Sequence, residues 1–495
     1  MLAEKENTGS CDIEVKKQPK SFYMIFFMEF WERFGFYVMN TVIIYFYFVK
    51  HLGFSEIHAF NIFGAFTGFL WGFMVFGGYI GDKFFGTKRT LIFGAIVLFC
   101  GYLFLAFSDI NTVYIALGLI AAGEGLFKAN PASLLSKCYE KNDNRLHTAY
   151  TYYYMAINVG ALIATFAAPA LAVHYSWRLA FIFSAAGMIL ALSNFIIYKK
   201  AIKNIGSAPD IQPFKISKLI CMIIFTVVLT YLAAYLLKRI DFAYYFFYLI
   251  TVIALILYFV FVSKISNSLA RKKMLVAFVL LVEGAWFNVL YQQMYTSVNF
   301  FAIKNVFPSF LGIHMSPVSF QGFDAIIIII FSPLFAMLFV KNARKGKSFK
   351  ITTKFTVGFF SCAIAFFILW ISTYFADSQG MLSSLWIFLF YIFQGIGEIL
   401  ISALGLAMIA ELVHKRYTGF VYGFYFLTVA IGCMIGSRLA DFSVPAKNIT
   451  TAIGVLPVYG RFFLYIAIIS TVAAIVIALI KPLLDGFITE ENLNS

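Results

Sequence analysis

Charge is scarce in this chain. Only 12% of its 495 residues are Asp, Glu, Lys or Arg, against roughly 25% in a soluble domain. With 62% hydrophobic residues, that deficit excludes an ordinary water-soluble globule. Cysteine is also scarce. Cys11, Cys100, Cys138, Cys221, Cys362 and Cys433 are scattered, with no CxxC pair and no ligand-like cluster. No disulfide framework, metal site or cofactor is therefore expected. The chain has no HExxH, no GxSxG and no paired His–Asp set, which argues against a membrane enzyme. No filter-like loop recurs, which argues against a channel. A cleavable leader is not expected either, because residues 1–20 are polar and lead into a full-length apolar segment.

Long apolar runs are what the chain does have. About fourteen windows of about 20 apolar residues follow one another between residues 23 and 480. They include long ones at 112–136, 273–302 and 383–412 and an adjacent pair at 216–237 and 242–263. None alternates polar with apolar residues as a transmembrane β-strand would. The expected class is an all-α polytopic membrane protein. The net charge of +15 could suggest nucleic acid, but its distribution argues otherwise. Basic residues crowd into alternate loops, such as Lys199-Lys200-Lys203, Arg271-Lys272-Lys273 and Arg344-Lys345-Lys347-Lys350. By the positive-inside rule these loops and both termini are cytoplasmic, facing lipid headgroups rather than nucleic acid. Gly206, Ser207, Pro209 and Pro213 mark a linker near 202–216. The expected organisation is a tail at 1–21, a six-helix bundle at 22–200, a linker and extra hairpin at 201–270, a second six-helix bundle at 271–482, and a tail at 483–495. Two bundles with a midplane site between them is a secondary-transporter plan.

Three charges interrupt the first apolar run: Glu29, Glu32 and Arg33. Each costs roughly 2.5–3.5 kcal/mol at a bilayer centre even on lenient scales, so such groups face a protein interior or an aqueous cavity and mark function. Their spacing puts them on one side of a helix turn, and Tyr37 and Asn40 extend the polar stripe.

The segment Gly78-Tyr79-Ile80-Gly81-Asp82-Lys83-Phe84-Phe85-Gly86-Thr87-Lys88-Arg89 resembles the loop between the second and third spans of the major facilitator superfamily. There Asp82 and the basic residues Lys83 and Arg89 would bridge helix ends at a cytoplasmic gate, with Gly78 and Gly86 permitting close packing. With Glu29-x-x-Glu32-Arg33, the likeness narrows to the proton-coupled oligopeptide transporter family, especially its bacterial dipeptide and tripeptide permeases. Gly125–Pro131, Tyr153–Gly160, Leu290–Ala302 and Gly397–Ser402 agree in the same order. The resemblance implies a major facilitator fold, alternating access, and import of dipeptides and tripeptides with protons through the inner membrane of a bacterium, by a monomer. The alternative is a transporter of another small amphipathic or zwitterionic solute.

The resemblance also implies roles. Glu29, Glu32 and Arg33 would couple protons. Arg33, Tyr37, Lys128, Tyr154, Asn158, Glu398 and Ser402 would bind substrate. Arg33 and Lys128 suit the peptide carboxylate, Glu398 the ammonium, and Asn158 the peptide backbone. Tyr37, Trp71, Tyr154, Trp286, Tyr291 and Tyr425 are candidate cavity aromatics. Asn40, Trp71, Glu124, Gln292, Asp324 and Tyr425 are candidate modulators. Gln292 stands where many members have Glu, so no ion-pair gate is expected there. Glu124, four residues before Lys128, is expected to neutralise it in part. Asp324 stands where an Asn-Pro pair is common; it would give the ammonium a second anionic contact or else be an exposed acid at a span start. Animal members carry a proton-handling His in the second span, where this chain has Gly64, so coupling would rest on carboxylates. The extra hairpin is expected to be dispensable for coupling.

Overall fold

The structure, a computed structural model, describes residues 17–140, 143, 145–345, 349–402 and 405–489. Cys11, Lys141, Lys347, most of the N-terminal tail and the last residues of the C-terminal tail lie outside the described residues. In chain order the helices are α1 (Lys20–Val42), α2 (Glu56–Tyr79), α3 (Thr87–Ala106), α4 (Val113–Lys128), α5 (Asn130–Ser136) and α6 (Arg145–His174). There follow α7 (Trp177–Tyr198), α8 (Ala208–Ile211), α9 (Ile216–Lys238), α10 (Ile240–Ser263), α11 (Ser268–Tyr291) and α12 (Ser297–Asn305). The last six are α13 (Gly322–Arg344), α14 (Ile351–Ser372), α15 (Ser384–Ile401), α16 (Gly405–Leu412), α17 (Thr418–Ala440) and α18 (Ala452–Thr489).

Twelve helical stretches among the described residues are long and apolar enough to cross a membrane. Two more spans complete the set. One is α1, with its charged centre. The other is α4, which ends at Lys128 and is continued by α5. Pro131 sits in the first turn of α5, where its missing N–H is harmless; an unbroken helix through the same point would lose a backbone hydrogen bond there. The apolar windows therefore mark spans without showing their internal breaks. The window at 273–302 is divided by a 3₁₀ turn at Gln292–Met294.

Helices α1 to α7 form one six-span bundle, in which α1 packs on α6 and α7 while α4 packs on α2 and α3. A Cβ on Gly77 would collide with the Gly125 carbonyl oxygen, so the close approach of α2 and α4 requires glycine. In the second bundle α14 packs on α15 and α18, α11 on α17, and α13 on α15. The bundles meet along α2 with α17 and α6 with α13. The α9–α10 hairpin lies against α4, α2 and α17. This is the major facilitator arrangement with an inserted hairpin, and the chain is a polytopic membrane protein.

The connection at 202–216 is a built element rather than a free linker. Ser207 caps α8, with Asp210 returning the bond to the cap, and its hydroxyl donates to the Gly81 carbonyl at 2.8 Å. Lys88 Nζ donates to the Ile202 carbonyl at 2.8 Å, and Arg89 donates to the Pro209 and Gln212 carbonyls at 3.0 and 2.6 Å. Gly86 takes φ 111°, which glycine alone adopts easily. The Asp82 carboxylate instead takes Lys137, at the end of α5, at 2.9 Å. Thus Asp82 does not pair with Lys83 or Arg89: Arg89 is committed to the connection and Lys83 is exposed. At the other end of the molecule, β1 (Ser309–Phe310) pairs antiparallel with β2 (Ile313–His314) through Leu311 and Gly312, both at positive φ, as a two-residue hairpin turn requires.

Candidate functional site

Between the bundles lies a cavity of about 180 Å³, with Arg33, Tyr37, Glu124, Lys128, Glu398 and Tyr425 among its walls. Asn40, Trp71, Gln292 and Ser402 line it as well. A side pocket of about 70 Å³ shares Tyr37, Tyr291 and Glu398 and adds Tyr154, Asn158, Gln321 and Asp324. A larger cleft of about 880 Å³ opens among Lys50, His51, His174 and His314, away from the basic loops, and none of the buried acids reaches it.

One wall is an ion cluster built by α1 and α4. Glu29 and Glu32 are fully buried and Arg33 almost so. Arg33 Nε donates to Glu32 at 2.6 Å and its Nη2 to the second oxygen of the same carboxylate. The same Nη2 reaches both Glu124 oxygens, at 3.1 and 3.0 Å. Lys128 Nζ pairs with Glu29 at 2.6 Å, and Glu29 lies 3.9 Å from Arg33 Nε. The guanidinium also sits 4.6 Å from the Phe36 ring centroid, a cation–π contact. Three acids therefore share two cations. One expectation changes: Glu124 pairs with Arg33, while Lys128 is held by Glu29. Helix spacing puts Glu124 one turn from Lys128, but the approach of α1 to α4 offers Glu124 a guanidinium able to engage both its oxygens.

The facing wall belongs to the second bundle and is acidic. Glu398 on α15, Asp324 in the first turn of α13 and Tyr291 at the end of α11 line the same side pocket. Asp324 is 6% exposed, so the exposed-acid alternative is excluded. Asp324 Oδ1, Glu398 Oε2 and Gln321 Oε1 have no hydrogen-bond partner, and none of the salt bridges found among the described residues involves Asp324 or Glu398. Buried acceptors without donors are costly, which makes this wall suited to a donor-rich cation. Asn158 donates to the Tyr154 carbonyl at 2.9 Å and lines the side pocket. Gln292 donates to the Ser437 hydroxyl at 3.0 Å, a neutral tie in place of an ion pair.

Tyr37, Tyr154, Tyr291, Trp71 and Tyr425 all reach the cavity walls. Trp286 does not line either pocket; its indole Nε1 is buried without a partner. Tyr295, Thr67 and Asn288 also line the cavity; in a chain with 19% aromatic residues one more tyrosine carries no signal. Glu283 is a further buried acid, outside both pockets. It is 6% exposed with neither carboxyl oxygen partnered, one turn from the cavity residue Phe287. The signal available for it was a single acid inside the window at 273–302.

Known proteins resemble this chain over nearly its whole length. A family model described as PTR2, POT family, matches residues 88–462. Dipeptide and tripeptide permease B of Salmonella typhimurium is 42% identical over 474 residues, covering 95% of this chain and 96% of the permease. Dipeptide and tripeptide permease A of Cronobacter turicensis is 42% identical over 494 residues, 99% of this chain and 98% of the permease. A crystal structure of tetrameric PepTSo2 superposes with a TM-score of 0.84 at 31% identity, covering 94% of this chain and 99% of the other.

Proposed function

This chain belongs to the POT family of proton-coupled oligopeptide transporters, and from that membership and the two-walled cavity we infer that it imports dipeptides and tripeptides together with protons. The carrying observation is the polarity of the cavity. One wall presents Arg33 and Lys128, the other Glu398 and Asp324. A short peptide is a zwitterion about 7–10 Å long; Arg33 and Lys128 on one wall offer cations to its carboxylate, and Glu398 and Asp324 on the other offer acceptors to its ammonium.

The ion cluster supplies a reason for coupling. With all groups ionised, Glu29, Glu32 and Glu124 outnumber Arg33 and Lys128 by one negative charge. A peptide carboxylate brings another into a buried site, where uncompensated charge is disfavoured. Binding the carboxylate on Arg33 or Lys128 displaces an acid from its cation, and that acid takes up the proton. Glu29 and Glu32 are the acids we assign to this step, since both are sealed from solvent behind their cations. On the acidic wall the ammonium supplies donors to Glu398 and Asp324, and Asn158 and Tyr154 hold the peptide between the ends. No cofactor enters this scheme; the proton gradient drives it.

By the positive-inside rule the basic loops and both termini face the cytoplasm and the end carrying the β-hairpin faces outward. The inner membrane of a bacterium is the location this supports. A single chain forms every wall of the cavity, which supports a monomer as the working unit.

The test is uptake of labelled dialanine into proteoliposomes under an imposed inward proton gradient. Accumulation above the outside concentration, abolished by collapsing the gradient and competed by other dipeptides, is expected. Folded protein that takes up no dialanine would overturn the peptide reading and direct the search to another small zwitterion.

A further inference from the structure

The inserted hairpin does more than sit in the lipid. Its second helix, α10, reaches the seam where the bundles meet. The Tyr244 hydroxyl points its single proton at two acceptors, Asn61 Oδ1 on α2 at 3.2 Å and the Met434 carbonyl on α17 at 3.1 Å. One acceptor belongs to each bundle. Tyr244 is 2% exposed, so neither bond is replaced cheaply by water.

The surrounding contacts close the same seam. Asn61 Nδ2 donates to both oxygens of Asp441, at the end of α17, at 3.1 and 3.0 Å. Arg438 on α17 pairs with Asp241 on the hairpin at 2.5 Å, and its guanidinium lies 4.5 Å from the Tyr244 ring centroid. A Cβ on Gly64 would collide with Ser437 and stand 3.1 Å from the Tyr244 hydroxyl. The space left by glycine on α2 is therefore where the hairpin's hydroxyl and the second bundle come together. Further out, Lys304 of the second bundle pairs with Glu56 of the first at 2.7 Å.

We propose that Tyr244 is a positioning residue for transport: its hydroxyl bridges α2 and α17 and holds the outer end closed, so the hairpin sets the balance between inward-open and outward-open forms. Opening outward parts α2 from α17, and one phenolic proton cannot follow both. The bond must break on one side in every cycle. This rests on the transporter reading, and it replaces the expectation that the hairpin is dispensable.

Tyr244→Phe removes both bonds and keeps the ring. Paired spin labels read the two ends of the full chain directly. One pair sits at Asn111 and Gln379, exposed on the outer end of either bundle. The other sits at Ser136 and Lys415, exposed on the basic end. The native cysteines are replaced in both the reference and the variant. The expected result is about a five-fold gain in the long-distance population at the outer pair, the worth of one net hydrogen bond, with a matching loss at the basic-end pair. In proteoliposomes, KM and Vmax for external dialanine should fall together. Local loosening would broaden the outer distances without the reciprocal change at the basic end, and that result overturns the proposal. So does an unchanged pair of distributions in folded Tyr244→Phe. If this variant does not fold, Asn61→Ala cuts the α2 side of the same tie together with the Asn61–Asp441 bridge, and it must give a larger reciprocal shift than Asp441→Ala, which cuts that bridge and leaves the Tyr244 bonds; equal shifts overturn the proposal. The distance measurement needs no transport, so absence of dialanine uptake would refute the peptide reading and leave this proposal to stand or fall by the distances.

Discussion

Replacing Glu29 by Gln tests the charge count at the centre of the mechanism. In the structure Glu29 is fully buried, accepts from Lys128 at 2.6 Å and lies 3.9 Å from Arg33. The substitution keeps the shape, removes one negative charge and balances the cluster at two acids and two cations. A peptide carboxylate can then enter without a proton following it. Removing one partner of a fully buried pair costs roughly 3–5 kcal/mol. The Lys128 side chain is 20% exposed and borders the cavity, so the expected stability loss is at the lower edge of that range or below, and the protein should fold. The functional consequence is larger. One proton moving down 100 mV supplies about 2.3 kcal/mol, enough for about fifty-fold accumulation of a neutral dipeptide. Glu29→Gln should let dialanine equilibrate and exchange but hold the accumulation ratio near one. The assay is gradient-driven uptake beside counterflow in the same proteoliposomes. A variant that still accumulates dialanine to the wild-type ratio would refute the assignment of coupling to this cluster.

Further outcomes follow from the same geometry. Glu398→Gln removes a charged acceptor from the acidic wall; a charge-assisted hydrogen bond of about 1.5–3 kcal/mol corresponds to a rise of roughly ten-fold or more in KM for dialanine, and an unchanged KM would place the ammonium elsewhere. Glu124→Gln releases one of the partners of Arg33 and leaves Glu32 in place, so folded protein with reduced dependence of uptake on the proton gradient is expected; an unaltered dependence would show that Glu124 takes no part. Asp324→Asn should lower the advantage of lysyl-alanine over norleucyl-alanine as a competitor of labelled dialanine, and equal ranking in both proteins would remove Asp324 from substrate selection. Gly77→Ala forces a methyl onto the Gly125 carbonyl, and overpacking of this kind costs about 1–3 kcal/mol; an unchanged thermal midpoint in detergent would mean that α2 and α4 separate more easily than their packing indicates.

The sequence alone determined the class, the number of spans and the polar stripe on α1. Transfer into lipid is close to additive over residues, so long apolar runs declare themselves without any knowledge of their neighbours. Charges such as Glu29, Glu32 and Arg33 stand out for the same reason. Family likeness then carried Tyr37, Lys128, Tyr154, Asn158 and Glu398 to positions that line the cavity or its side pocket. Pairing was decided only by tertiary structure. Glu124 and Lys128 are one helical turn apart, yet each finds its partner on α1, at separations of 91 and 99 residues. Spacing along a helix says which side chains can meet; the crossing of a second helix decides which do. Burial of Asp324, the turning of Trp286 away from the cavity and the clamping of the 202–216 connection by Lys88 and Arg89 have the same origin. The reach of Tyr244 into the α2–α17 seam depends on three helices distant in sequence and on the absence of a side chain at Gly64. No local pattern records that kind of contact, because its strength lies in the space between elements.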